Sequence, residues 1–145
     1  MIDYNGRGEE WYKRAINEND EFVKFILFYI SLEVSIKDKF NDIRSIKDDF
    51  KIRSNFFDKI DSSKLNNLIK ILNLNPLINM DSSRVLKWSG KIENQQDFDG
   101  IIEFIIRARN NLFHGDKGPD SNRDLFIVKW GTEILQPLVQ VILQF

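Results

Sequence analysis

Apolar residues recur at three- and four-residue intervals along most of the chain, and a two-residue alternation is nowhere sustained. Phe22, Phe25, Ile26, Tyr29, Leu32, Ile36 and Phe40 form the most regular stripe, with Asn19 or Asp20 placed to cap a helix in front of it. Val23, Leu27, Ile30 and Val34 make the first half of that segment apolar nearly all round, which predicts the central, most buried helix. Residues 9–17, with Trp11 and Tyr12, read as a short helix or a lead-in turn. Ile43, Ile46 and Phe50, then Phe56, Phe57 and Ile60, keep helical spacing behind weaker caps.

Asp61-Ser-Ser opens a helix through Leu65, Leu68, Ile69 and Leu72 that ends before Pro76. A second Asp81-Ser-Ser predicts a short helix through Val85, Leu86 and Trp88, stopped by Gly90. Residues 91–97 are polar and read as a loop. The next helix runs from about Phe98 to Phe113 on Ile101, Ile102, Ile105 and Leu112. The stretch from His114 to Asn122 carries the strongest loop signal in the chain. A final helix, about 121–144, carries Leu125, Val128, Ile134, Leu135, Leu138, Val139 and Ile142, with Pro137 expected to kink it. The apolar girth of residues 125–145 exceeds one core-facing stripe, which fits either a dimer surface or a buried last helix. No repeat, low-complexity tract or linker divides the sequence. The expectation is one all-α domain over residues 1–145, a bundle of about five helices.

Composition narrows the chemistry. Of 145 residues, 42% are apolar and 30% charged, a globular balance and not a disordered one. There is no cysteine, which excludes disulfides, a thiolate metal site and a cysteine nucleophile. His114 is the single histidine, and no helical pair of carboxylates stands beside it, so no metal and no cofactor are expected. The start, Met1-Ile-Asp-Tyr-Asn, has neither the basic nor the apolar part of a signal peptide. Phe22 to Phe40 is interrupted by Lys24, Ser31, Glu33, Ser35 and Lys37, too polar to span a bilayer. The expected compartment is the cytoplasm, with no membrane partner.

The net charge of −1 excludes a polybasic nucleic-acid coat. The charge is uneven, however. Residues 105–130 hold five cations against three anions, a net of +2, and residues 1–20 hold three against five, a net of −2. A locally positive site on a nearly neutral protein suits a footprint of a few phosphates.

That positive stretch contains Arg107-Ala-Arg-Asn-Asn-Leu-Phe-His-Gly115, a guanidinium, a carboxamide and an imidazole within about two helical turns. Such a set can bind a phosphate, steer it and move a proton near neutral pH without a metal. On a helix, Arg107 and His114 lie about 20° apart with Asn110 between them, whereas Arg109 and His114 lie about 140° apart. Arg109 joins His114 only if the helix ends near Phe113, and Gly115 is well placed to end it. Geometry alone leaves both arginines as candidate phosphate ligands. Both also suit a bland role, as cations at a helix C-terminus. Glu33, in the apolar segment, is either a partner for a motif arginine or a solvated gap in the stripe.

Arg109-Asn110-Asn111-Leu112-Phe113-His114 resembles the signature of the HEPN superfamily, an arginine, usually followed by a polar residue, then a histidine after four to six positions. The trailing glycine and the place of the motif between the last two long helices of an all-α chain add to the resemblance. So does the aromatic segment Phe22–Phe40. The resemblance implies a metal-independent endoribonuclease acting on single-stranded RNA as a homodimer, with two motifs facing one cleft. The setting it implies is toxin–antitoxin, anti-phage or stress response, with an antitoxin protein as a possible partner. Carried over residue by residue, Arg109 holds the scissile phosphate, His114 transfers the proton and Asn110 orients one or the other. Arg107, Asn111 and Lys117 stand nearby as substrate-binding candidates. Asp116 occupies the position where some HEPN toxins have a modifiable tyrosine, so control by that route is not implied here. The rival reading is a HEPN-like module that binds nucleotides or a protein and cuts nothing, or a structural helical dimer.

Overall fold

Aspartates start the helices. Asp3 accepts from the Gly6 amide and opens α1 (Tyr4–Ile16); Asp20 accepts from Phe22 and Val23 and opens α2 (Glu21–Ser35). Asp49 accepts from Ile52 at the head of α3 (Phe50–Lys59), and Asp61 from Ser63 and Lys64 at the head of α4 (Ser62–Leu74). Asp97 accepts from Gly100 at the head of α5 (Phe98–Leu112). Each carboxylate satisfies amide donors that the first helical turn leaves without a partner. The last helix is α6 (Asn122–Leu143), and a 3-10 turn lies at Arg44–Asp48. This computed structural model describes residues 1–77, 88–112 and 122–145, and every regular element among them is helical.

The all-α expectation therefore holds, with six α-helices among the described residues and not about five. The lead-in read at 9–17 is a full helix that begins at Tyr4. The helix expected to reach Phe40 stops at Ser35, and the chain turns over residues 36–39. That turn lets Phe40 stack on Phe145, 5.8 Å between ring centres. Residues 91–97 are a loop as expected. The short helix read through Val85 and Leu86 lies outside the described residues, and Trp88, its expected end, is not helical.

α6 lies at the centre of the packing, touching α1, α2, α3 and α5. Ile127, Val128, Ile134, Leu135, Leu138, Val139, Val141 and Ile142 are buried, so the apolar girth of this segment goes into the core. α6 continues through Pro137 to Leu143. It is long and apolar enough to cross a membrane by length and composition, but 56% of that stretch is buried within the bundle. The most buried helix is α5, with ten of fifteen residues covered, where sequence pointed to α2, with six of fifteen. Val23 is 41% exposed, and Ile26, Leu27, Ile30 and Val34 are half-buried, because α2 packs on α1 and α6 and leaves one side open.

Two glycines permit the closest helix approaches. A Cβ at Gly8 would come within 2.8 Å of Ser35 Cβ, where Ser31 Oγ donates to the Gly8 carbonyl at 2.6 Å. A Cβ at Gly131 would run into the Phe25 ring, buried between α6 and α2. The far end of α6 is tied down by Asn5 and Lys39. Asn5 Nδ2 donates to Leu143 O at 3.1 Å and Lys39 Nζ donates to Ile142 O at 2.9 Å. These donors meet carbonyls that the last helical turn leaves open, while burial lowers the ammonium pKa of Lys39.

Candidate active site at the end of helix α5

The last two turns of α5 carry Arg107, Arg109, Asn110 and Asn111 on three different sides. Two steps of 100° set Arg107 and Arg109 about 200° apart, so a helix packed on one side cannot present both to the same surroundings.

Arg107 faces inward, 5% exposed. Its Nη1 donates to Leu77 O at 2.9 Å and its Nη2 to Trp88 O at 3.2 Å. The guanidinium lies over the Trp88 ring, 4.8 Å from its centre. Leu77 and Trp88 are the described residues on either side of the 78–87 segment, and the Leu77 amide also donates to Gly90 O at 3.0 Å. Gly90 has φ +84°, and a Cβ there would come within 2.7 Å of Leu77 O, which is why glycine stands at this closure. Arg107 thus clamps the base of that segment. Burial lowers its pKa, against the opposing pull of the Glu103 carboxylate one turn earlier. Arg107, a substrate-binding candidate by sequence, is thus enclosed, with two of its nitrogens occupied by protein carbonyls.

Arg109 is partly exposed. Its guanidinium sits over the Tyr29 ring at 5.7 Å, and Nη1 donates to Asn110 Oδ1 at 3.3 Å. The ring face attracts the cation and restricts its approach. Burial pushes the Tyr29 phenol up, the Glu33 carboxylate adds to this, and Arg109 and Arg44 oppose it. Tyr29 therefore stays neutral through the physiological range. Glu33 is exposed, on the solvated side of α2.

Asn110 is partly exposed beside Arg109, while Asn111 is 4% exposed on the far side of the helix. Asn111 and Leu112 help line a cavity of about 240 Å³ between the end of α4, the end of α5 and the start of α6. Phe113, His114, Gly115, Asp116 and Lys117 lie outside the described residues. The structure thus brings Arg109 and Asn110 together and separates both from Arg107 and Asn111.

One group that the sequence reading passed over anchors this helix. Glu103 receives a bidentate pair from Arg44, Nε at 2.8 Å and Nη2 at 3.0 Å, and a third bond from Lys47 Nζ at 2.6 Å. Its side chain is 13% exposed. Burial pushes its carboxyl up, but the bonds from Arg44 and Lys47 together hold it below the ordinary carboxylate value. This network fixes the 3-10 turn against α5. Its only sequence signal is the three-residue spacing of Arg44 and Lys47, which points at no partner by itself.

No family model matches the chain, and no curated protein or solved structure matches it either.

Proposed function

We propose that this chain is a metal-independent endoribonuclease of HEPN type that cuts single-stranded RNA by attack of the 2′-hydroxyl on the adjacent phosphate. The observation that carries this reading is the division of labour at the end of α5. Arg109 stands partly exposed beside Asn110, five residues before His114 in sequence, while Arg107 is enclosed as a clamp.

In the proposed reaction the neutral imidazole of His114 takes the 2′-hydroxyl proton as the 2′-oxygen bonds to phosphorus. The bond from phosphorus to the 5′-oxygen breaks, and the protonated imidazole of His114 of the partner subunit supplies the leaving oxygen with its proton. Arg109 holds the non-bridging oxygens and offsets charge as the five-coordinate phosphorane forms. Asn110 orients Arg109 through their hydrogen bond, and the Tyr29 ring limits where the guanidinium can go. One histidine per chain cannot act as base and acid in the same event, so the active species is a two-fold homodimer. The setting is cytoplasmic defence, stress response or a toxin–antitoxin pair with an antitoxin protein as partner, which follows from the HEPN resemblance.

The test is cleavage of single-stranded RNA in EDTA, with the ends identified. Expected products carry a 2′,3′-cyclic phosphate or 3′-phosphate and a 5′-hydroxyl. His114→Ala removes turnover and leaves RNA binding largely intact, and a 2′-deoxy nucleotide at the cut site stops the reaction. Cutting of all-deoxy substrate, dependence on Mg²⁺, or full activity in His114→Ala would each exclude the mechanism.

A further inference from the structure

A cavity beside Arg109 lies between the end of α2, the chain that follows it and α5. Its volume of about 370 Å³ falls within the roughly 300–1,000 Å³ of small-molecule sites. Ile36, Ile43 and Ile106 give it apolar walls, and Phe40 adds an aromatic ring, half-buried and steadied by Phe145. Tyr29, Glu33 and Asn41 line it too, and no described residue gives their side chains a hydrogen bond or a salt bridge. Tyr29 is only 6% exposed, and a hydroxyl held that deep is costly unless a ligand or solvent meets it. Because the phenol stays neutral, it can donate as well as accept. Arg44 and Asp42 also border the cavity, but Arg44 is committed to Glu103 and Asp42 to Ser45, so both serve as fixed wall.

Two residues join this cavity to the candidate active site. Tyr29 lines it and carries the Arg109 guanidinium over its ring at 5.7 Å. Ile106 lines it from α5, three and four residues before Arg109 and Asn110 and therefore on their face of the helix. We propose that the cavity receives an unpaired base of the RNA, that of the nucleotide whose phosphate Arg109 holds. Phe40 is the ring it stacks on, and the Tyr29 hydroxyl bonds its edge. The proposal rests on the nuclease reading and names the part of the substrate bound beside the cut. An aromatic ring among apolar walls, with a few open polar groups, is how proteins take up the unstacked bases of single strands. Stacking is open to every base, since each has a π-face, and a purine offers the larger one. A duplex cannot enter, because its bases are already paired and stacked.

The experiment titrates the full chain by calorimetry with adenosine 5′-monophosphate and with ribose 5-phosphate, which has the sugar and phosphate but no base. In parallel, RNA cleavage is measured on an oligonucleotide with an abasic residue beside the cut. The adenosine nucleotide is expected to bind about tenfold tighter than ribose 5-phosphate, and the abasic residue to raise KM by a similar factor. Phe40→Leu, which keeps an apolar side chain but removes the ring, is expected to erase the advantage of the adenosine nucleotide. Tyr29→Phe, which removes only the hydroxyl, is expected to weaken that nucleotide about fivefold and to leave ribose 5-phosphate unchanged. If Phe40→Leu fails to fold by circular dichroism, Tyr29→Phe decides the matter alone. Equal binding of the two probes, no binding of either, or a full advantage of the adenosine nucleotide in either variant overturns the proposal. The expected binding without any RNA cleavage overturns the nuclease reading and leaves the base pocket standing, whereas cleavage indifferent to the abasic residue does the reverse.

Discussion

Arg107 and Arg109 are the same residue type two positions apart, and the helix gives them opposite surroundings. Arg107→Ala would strand the Leu77 and Trp88 carbonyls and remove the cation from the Trp88 ring. We expect a loss of roughly 1–3 kcal/mol in stability, read by urea unfolding, with any loss of cleavage following from that. Arg109→Ala should leave the unfolding midpoint nearly unchanged and abolish cleavage. A stable Arg107→Ala without activity, beside an active Arg109→Ala, would reverse the roles. Sequence could not make this assignment, because the carbonyls that hold Arg107 lie 30 and 19 residues away and carry no local pattern. Glu103 was missed for the same reason, its partners Arg44 and Lys47 being more than fifty residues away. Its depressed pKa has a consequence for acid stability. The folded state holds the ionised form better than the unfolded state does, so the contribution is full above the ordinary carboxylate range. It is lost as pH falls through the folded value. Glu103→Gln should flatten that part of the fall in melting temperature below about pH 4.5, and an unchanged acid profile would show that the network contributes nothing.

At the level of elements, most of the fold was legible because its signals are local. Asp20 and Asp61 each precede an apolar run with helical spacing, and both cap the helix that follows. The start of α1 was hidden by Gly6 and Gly8, weak helix formers whose cost is met by packing on α2. The depth of α5 against α2 was also illegible, since an apolar stripe states which side is greasy but not which neighbour covers it. Gly131 shows how such packing overrides propensity. Gly131→Ala would gain about 0.8–1 kcal/mol in helix propensity, but the new methyl meets the buried Phe25 ring. Overpacking typically costs about 1–3 kcal/mol, so the larger effect wins and the net change should be a destabilisation of roughly 0–2 kcal/mol. A urea midpoint above that of the wild type would mean the Phe25 ring yields and α6 is not held close to α2.

For the whole molecule, the all-α class was readable from periodicity alone, whereas assembly is a proposal drawn from chemistry. A single histidine per chain is the constraint: 2′-hydroxyl attack needs a base and an acid at once, and one imidazole cannot be both. The active unit should therefore be a dimer in light scattering at micromolar concentration, and its activity should depend on both chains. Co-expressing wild-type chain with His114→Ala in varied proportion separates the possibilities. If two imidazoles serve one cleft, a mixed dimer is inactive, so cleavage falls as the square of the wild-type fraction. If each chain acts alone, cleavage falls in direct proportion. The same pairing predicts a bell-shaped pH profile, with one neutral and one protonated imidazole required together. A linear fall with dilution by the variant, together with a profile that only rises with pH, would show that a single imidazole suffices. The proton on the leaving oxygen would then have to come from another group, and the requirement for a second chain would disappear with it.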